Sequence, residues 1–255
     1  MHFRENGFSL KFIVRNVMLL TLSILLTTCK KDHLLDCFKS SGKSVSETRT
    51  AIAFNNINMT NNVDLIIHPD TIPYIKVTAG DNLIDGIITE LSGNTLYIRN
   101  ENRCNWMRSF NNTFTVEVGM DKPANIYNNG SGNIHCSDTI RSDVFVLDCF
   151  NGSGSINLLF NSKEIHLTNH VGRTDIHANG KTDKCFIYIN DVGTMDAAGL
   201  ESSYCYIRNS STGDCLINVK DELGYEILYN GNIYLSGSPH LFNELITGSG
   251  KFFRF

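Results

Sequence analysis

Asn129-Gly130-Ser131-Gly132-Asn133-Ile134 returns as Asn151-Gly152-Ser153-Gly154-Ser155-Ile156, and Thr247-Gly248-Ser249-Gly250-Lys251-Phe252 closes the series. Between them stand worn copies: Val171-Gly172-Arg173-Thr174-Asp175-Ile176, Val192-Gly193-Thr194-Met195, Thr212-Gly213-Asp214-Cys215 and Asn230-Gly231-Asn232-Ile233. The apolar residue after each turn gives the series Ile134, Ile156, Ile176, Met195, Cys215, Ile233, Phe252, whose steps are 22, 20, 19, 20, 18 and 19 residues. One inward residue per period of about twenty is the pattern of a chain coiling around its own core. The spacing predicts an all-β fold, a single-stranded β-solenoid (β-helix-like) with coils of ~20 residues. Such an architecture presents surfaces more often than it performs chemistry.

Each coil holds a second strand ahead of its turn: Val144-Phe145-Val146-Leu147, Ile165-His166-Leu167, Phe186-Ile187-Tyr188-Ile189, Tyr204-Cys205-Tyr206-Ile207 and Tyr225-Glu226-Ile227-Leu228. The turn glycines are read as supplying positive φ without a Cβ clash, a conformation that Asn also tolerates. An Asn precedes most anchors (Asn129, Asn151, Asn169, Asn190, Asn209, Asn230), and stacked turns are expected to line these amides up in ladders. Open coil ends need covering. That role is assigned to Phe252, Phe253 and Phe255 at one end and to the earlier β segment at the other.

The regular coils span 124–255, and 46–123 forms a β-rich N-terminal part of the same domain with longer spacing. Val63-Asp64-Leu65-Ile66-Ile67-His68 and Tyr74-Ile75-Lys76-Val77-Thr78 alternate as strands, a short helical turn is expected from Asp81, and Ser92-Gly93-Asn94 reads as a hairpin turn.

Arg4, Lys11 and Arg15 precede an apolar run from Val17 to Leu26, the length of a signal-peptide core and too short to span a bilayer comfortably. Residues 1–28 are assigned as signal peptide and 29–45 as a polar tether. Leu26-Thr27-Thr28-Cys29 resembles a bacterial lipobox, in which the cysteine thiol receives a diacylglycerol, with Thr28 where Gly, Ala or Ser is usual. Lys30-Lys31-Asp32 resembles the tether of Bacteroidetes lipoproteins. Cys29 is therefore the expected lipid attachment site, the alternative being an ordinary secretory signal. The formal charge of -4 argues against a nucleic-acid partner.

Removing Cys29 leaves seven cysteines of eight. Cys37 and Cys104 lie in polar, non-periodic stretches and are paired as a possible disulfide, whereas Cys136, Cys149, Cys185, Cys205 and Cys215 fall in strand-like segments and read as small apolar filler.

Together, the Gly-Ser-Gly-x-Ile repeats, Asn82-Leu83-Ile84, the Thr89-Glu90-Leu91 to Leu96-Tyr97-Ile98 stretch and the closing Gly248-Ser249-Gly250 resemble the Bacteroidetes family called the putative auto-transporter adhesin head, or GIN, domain. The resemblance covers about 46–255, and Asp36-Cys37-Phe38-Lys39 and Cys104-Asn105-Trp106-Met107 resemble segments of its lipoprotein members. It implies a β-helix-like fold in the cell envelope and an adhesive or surface-binding role. With the last coil at the C-terminus, a translocator barrel is not expected.

Other chemistries fit these residues less well. A phosphate cradle needs a helix after its glycines, but here a strand follows each time. His166, His170 and His177 fall on strand-turn-strand, and no metal or other cofactor is expected. A polysaccharide-active enzyme needs converging carboxylates, for which Asp175, Asp196 and Asp214 are the candidates, although solvated turn residues explain them equally well. Arg103, Trp106 and Arg108 are the speculative binding surface, with a loop covering a coil end as the plainer reading. Asp70-Thr71-Ile72 and Asp138-Thr139-Ile140 resemble short O-glycosylation sites, at Thr71 and Thr139. The sequence reading is a non-catalytic, exported outer-membrane lipoprotein, periplasmic or surface-facing, that binds glycans or another envelope protein; the rival is a polysaccharide lyase or hydrolase.

Overall fold

Ile156 sits between Ile134 and Ile176 in one column of parallel, in-register strands, and the column runs on through Met195, Cys215, Ile233 and Phe252. The six side chains from Ile134 to Ile233 are fully buried. This is the hydrophobic spine that the repeat predicts.

The computed structural model describes residues 40–69, 72–103 and 114–255. The chain divides into two units, Ser41–Asn102 with Asn111–Phe255 and Met1–Ser40 with Arg103–Phe110. Of the second unit, only Ser40 and Arg103 are among the described residues.

The strands of the first unit are β1 (Ser44–Arg49), β2 (Asn56–Asn61), β3 (Asp64–Pro69), β4 (Tyr74–Gly80), β5 (Ile87–Ser92), β6 (Thr95–Asn100), β7 (Thr115–Met120), β8 (Asn125–Gly130), β9 (Ile134–Cys136), β10 (Val144–Gly152), β11 (Ser155–Gly172), β12 (Asp175–Asp191), β13 (Thr194–Ser211), β14 (Cys215–Ile227), β15 (Ile233–Ser236), β16 (His240–Ile246) and β17 (Phe252–Arg254). They stack into two walls. In the first, β6, β2, β8, β10, the second halves of β11 to β14, and β16 follow one another in parallel, with β5 antiparallel on β6. In the second, β7, β3, β9, the first halves of β11 to β14, β15 and β17 do the same, with β4 and then β1 antiparallel beyond β7. The long strands β11 to β13 bend from one wall to the other, so each serves both walls of its coil.

The core lies between the walls. Opposite the Ile134 column, the first wall contributes Leu96, Ile57, Ile126, Leu147, Leu167, Ile187, Ile207 and Tyr225, each in register with the next and all buried. Stacking reaches further back than the twenty-residue period does. Leu65 lies in register with both Ile134 and Val116, and Ile57 with Ile126, so β2 and β3 already form a coil. The segment from β4 to β7 is inserted after that coil and closes its outer side, the capping role expected of the N-terminal part. The hairpin forms as read, with Ser92 opposite Thr95 and Gly93 at φ 58°. The helical turn is a single 3-10 turn at Ile84–Gly86, and no side chain caps it.

Two sequence expectations need revision. Of the glycines in the repeat, only Gly172 adopts positive φ, 109°. The others are required by close approach: a Cβ on Gly132 would lie 1.8 Å from the Val63 carbonyl oxygen, and one on Gly154 would lie 2.1 Å from that of Gly132. The same relation runs from Gly193 to Gly213, Gly231 and Gly250, with the would-be Cβ contacts at 1.9, 2.0 and 2.2 Å. Each turn is seated on the carbonyl of the turn beneath, where a side chain does not fit. Asn does supply the left-handed conformation at Asn61 and Asn151, with φ of 66° and 53°.

The expected asparagine ladder also divides. Asn129 and Asn151 bond to each other across coils, Asn151 Nδ2 donating to Asn129 Oδ1 at 3.4 Å. The fully buried amides are instead Asn128, Asn169 and Asn209, in a column where they alternate with Cys149, Ile189 and Ile227. Each ties its own turn, and Asn209 also reaches the next coil, its Nδ2 donating to Asn232 O at 3.3 Å. Asn209 Oδ1 accepts from Ser211 N at 3.0 Å and its Nδ2 donates to Gly213 O at 3.0 Å, which satisfies backbone groups that the turn would leave buried and unpaired.

Candidate functional site

A strand two-sided in its apolar pattern buries one phase and displays the other. In Phe186-Ile187-Tyr188-Ile189 the isoleucines are fully buried, while Phe186 and Tyr188 stand half-buried on the outside of the first wall. Stacking repeats this display from coil to coil. Tyr127, Phe150 and His170 form one ring stack, with centroids 4.9 and 4.0 Å apart. His166, Phe186, Tyr204 and Phe242 form another, at 4.8, 5.8 and 5.4 Å. Tyr188 and Tyr206 run beside it, 6.4 Å apart. Where neighbouring rings are near-parallel, as at Phe150 and His170 (13°), each covers its neighbour's face and leaves the ring edges outward.

Charge is organised along the same face. Glu226, largely buried on this outer side, accepts from Arg208 Nε at 2.6 Å and from the Tyr206 hydroxyl. The Arg208 bond, followed by that from Tyr206, holds the Glu226 carboxyl below its ordinary range, and the same contact raises the Tyr206 hydroxyl. The Arg208 guanidinium lies 5.9 Å from the centre of the Tyr188 ring. His166 pairs with Glu164 at 2.8 Å and His170 with Asp148 at 3.2 Å. A carboxylate kept ionised by a guanidinium is a poor general acid.

The other candidates stay apart. Asp175 accepts from Thr194 Oγ1 at 2.6 Å, Asp214 accepts from Asn232 N at 2.9 Å, and Asp196 lies 3.6 Å from His177 Nδ1. These three carboxylates serve turns and neighbouring coils and do not converge on a shared point. Among the described residues, no group of three or more His, Cys, Asp or Glu is placed to hold a metal ion. A corner cleft of about 390 Å³ is lined by Lys122, Arg141, Asp143, Ser162, Lys163 and Asp183. There Lys163 bonds Asp143 at 2.7 Å and lowers its pKa.

Cys136, Cys149, Cys185, Cys205 and Cys215 are free and buried in the core, as small apolar filler should be. Thr139 lies half exposed in the loop between β9 and β10, its N–H bonded to Asp138 Oδ1 at 2.6 Å. Arg103 is exposed. Cys29, Cys37, Thr71, Cys104, Trp106 and Arg108 lie outside the described residues, as does the apolar run from Val17 to Leu26. No described helix is long and apolar enough to cross a membrane. Sequence reasoning missed the aromatic face because it followed only the inward phase of each strand. The signal was the aromatic residues in the other phase, at Phe186, Tyr188, Tyr204 and Tyr206.

Comparison with known proteins bears on the same body. No curated protein matches the chain. A solved structure described as a putative adhesin from Bacteroides fragilis superimposes with a TM-score of 0.78 at 16% identity, covering 84% of this chain and 98% of that one. Putative adhesins from Parabacteroides distasonis and Parabacteroides merdae give TM-scores of 0.61 and 0.60 at 18% and 17% identity, covering 84% and 85% of this chain and 98% of each of theirs. At these identities the likeness establishes the fold. Residues 53–239 match the sequence family described as "Putative auto-transporter adhesin, head GIN domain", most of the two-walled body. A β-solenoid with this repeat, this extent and these neighbours is a member of that GIN-domain adhesin family.

Proposed function

We propose that the protein is a non-catalytic adhesive component of the cell envelope, and that it binds a glycan or another envelope molecule along the outer face of its first wall. The observation that carries the reading is the strip of stacked rings from Tyr127 to Phe242 with the Arg208–Glu226 pair beside it. Tyr and Arg are residue types that anchor recognition surfaces, and ring edges with hydroxyls suit a ligand rich in hydrogen-bonding groups. The family's description as an adhesin supports the same role.

The test is a glycan array, read together with pull-down of outer-membrane fractions, using the full chain and its Tyr188→Ala and Arg208→Ala variants. Each substitution removes an exposed or half-exposed group and is expected to weaken capture about tenfold or more, the scale of a contact worth more than 1 kcal/mol. Binding that ignores both substitutions, or release of fragments from a polysaccharide, sinks the reading; the second result would favour the enzyme.

The anchor rests on the Leu26-Thr27-Thr28-Cys29 pattern, and modification at Thr71 and Thr139 on their Asp-Thr-Ile context. One mass-spectrometric experiment on protein from its native host reads both. Acyl mass is expected on the peptide that begins at Cys29, and glycan mass on the peptides holding Thr71 and Thr139. A peptide cleaved elsewhere with an unmodified Cys29 removes the lipid anchor, and bare threonine peptides remove the glycosylation.

A further inference from the structure

The two ends of the coil stack are finished differently. At the β1 and β5 end, ion pairs tie the edge strands: Arg49 pairs with Glu47 at 2.5 Å and Arg99 of β6 with Glu90 of β5 at 3.0 Å. At the other end, β16 pairs only with β14 and β17 only with β15 among the described residues. Their outer edges carry no further strand there. Exposed apolar side chains gather in this last coil, namely Phe242, Leu245, Ile246, Phe253 and Phe255. Ile246 is the telling one. It caps the column above Ile227, which is 0% exposed, yet is itself 47% exposed, with no described strand above it.

The covering role expected of the terminal phenylalanines is met only in part. Phe252 lies flat on Tyr225, centroids 4.2 Å apart and planes 2° apart, and so plugs the end of the core. Phe253 packs on Tyr234 on the outside, and Phe255 is 70% exposed. An apolar edge of this kind is a template for another strand unless something blocks it.

Two charges select the occupant. Glu244 shares the inward column of Tyr225, whose hydroxyl donates to Glu244 Oε2 at 3.1 Å. Arg254 shares the inward column of Leu235, its guanidinium 6.0 Å from the Phe252 ring centre. The acid is on the edge of the first wall and the base on the edge of the second. A two-fold axis along the strand direction exchanges the walls, so it sets β16 of one copy antiparallel over β17 of the other, the edge that carries Glu244 over the edge that carries Arg254. A two-fold axis normal to the walls would set β16 against β16, the acid-bearing edge against itself. Head-to-tail stacking would place the apolar edge on the charged β1 and β5 end.

We propose that the last coil is the contact surface of a head-to-head homodimer, in which two copies join through β16 and β17 with Glu244 of each facing Arg254 of the other. The assembly is closed, because each copy has one such end. It would place two first-wall faces on one particle.

The test is sedimentation of the full chain in mild detergent across a concentration series. A monomer–dimer equilibrium is expected. Glu244→Arg and Arg254→Glu should each raise the dissociation constant about tenfold or more, the effect of turning one close attractive pair into a repulsive one. The double variant should restore it, since every contact contains both positions. Both residues are on exposed edges, and a denaturation midpoint unchanged at concentrations where all the proteins are monomeric confirms that the variants fold. Leu245→Lys tests the apolar part independently of the charges. A monomer at all concentrations overturns the proposal and assigns Glu244 and Arg254 to guarding the edge. Association that none of these variants alters overturns it as well, because the contact then lies elsewhere, as does loss of association in the single variants without rescue in the double one.

Discussion

Gly154→Ala is expected to destabilise the protein by more than about 3 kcal/mol, in the range reserved for named steric or cavity effects in cores. The added methyl carbon would lie 2.1 Å from the Gly132 carbonyl oxygen and 2.8 Å from its carbon, and neither atom belongs to a side chain that could swing aside. The two coils must therefore separate locally. The Gly154 carbonyl also accepts from Asp175 N at 3.2 Å, so a shift is passed to the coil above. In a stack whose stability is a sum of neighbouring interfaces, a fault in a central coil weakens two of them. For a body of this size, 3 kcal/mol corresponds to a fall in Tm of roughly 6–12 °C. Gly93→Ala provides the comparison. Gly93 has positive φ, 58°, but nothing within 4 Å of the new carbon, so only the left-handed penalty of about 1 kcal/mol applies. Equal melting temperatures for the two variants would show that the repeat glycines serve φ after all.

That pair of variants also marks what the sequence could and could not disclose. The spine from Ile134 to Phe252 was legible because one inward residue per coil must recur at the coil length, whatever the turn does. The glycines between the anchors were visible too, but a sequence shows only that a side chain is missing, not whether φ or a neighbouring carbonyl forbids it. The β2–β3 coil was hidden for a different reason. Its neighbour in space is β8–β9, and the intervening chain from β4 to β7 destroys the period. The aromatic face was present in plain alternation at Phe186 and Tyr188 and again at Tyr204 and Tyr206. Its continuity, however, depends on register, since Phe186 meets Tyr206 and His166 only once coils stack. Exposure at the last coil is also a property of stacking. Ile246 has the same chemistry as Ile227 and differs in having no described coil over it.

Alkaline pH is expected to unfold the protein well before its surface charges would require it, because of the cysteines that the coil period places in the core. Burial pushes the Cys136 thiol up to about 11 and the Cys149 thiol up to about 12. Cys215 is raised by burial, and Cys205 by its bond with the Cys185 thiol and then by burial. Unfolded thiols titrate near 8.5. The folded pKa is thus the higher one, and the acid form is the neutral form that the core accepts. Below about pH 8.5 both states keep the proton and stability is independent of these groups. Above it, the unfolded chain releases protons that the folded chain retains, so stability falls with rising pH. Each thiol accounts for about 1.4 kcal/mol per pH unit until its folded pKa is reached. Four such groups remove roughly 6–8 kcal/mol between pH 8 and pH 10, comparable to the whole stability of many domains. The measurement is the denaturation midpoint against pH with a reductant present. A thiol reagent at pH 8 should leave these five cysteines unmodified until denaturant is added. Cys215→Ala, which removes one titrating group, should flatten the fall between pH 8 and pH 10 by about 1.4–2 kcal/mol while costing some stability at neutral pH. A midpoint that stays level from pH 8 to pH 10, or a slope that Cys215→Ala leaves unchanged, would mean that the thiols are not held in the dry interior between the walls.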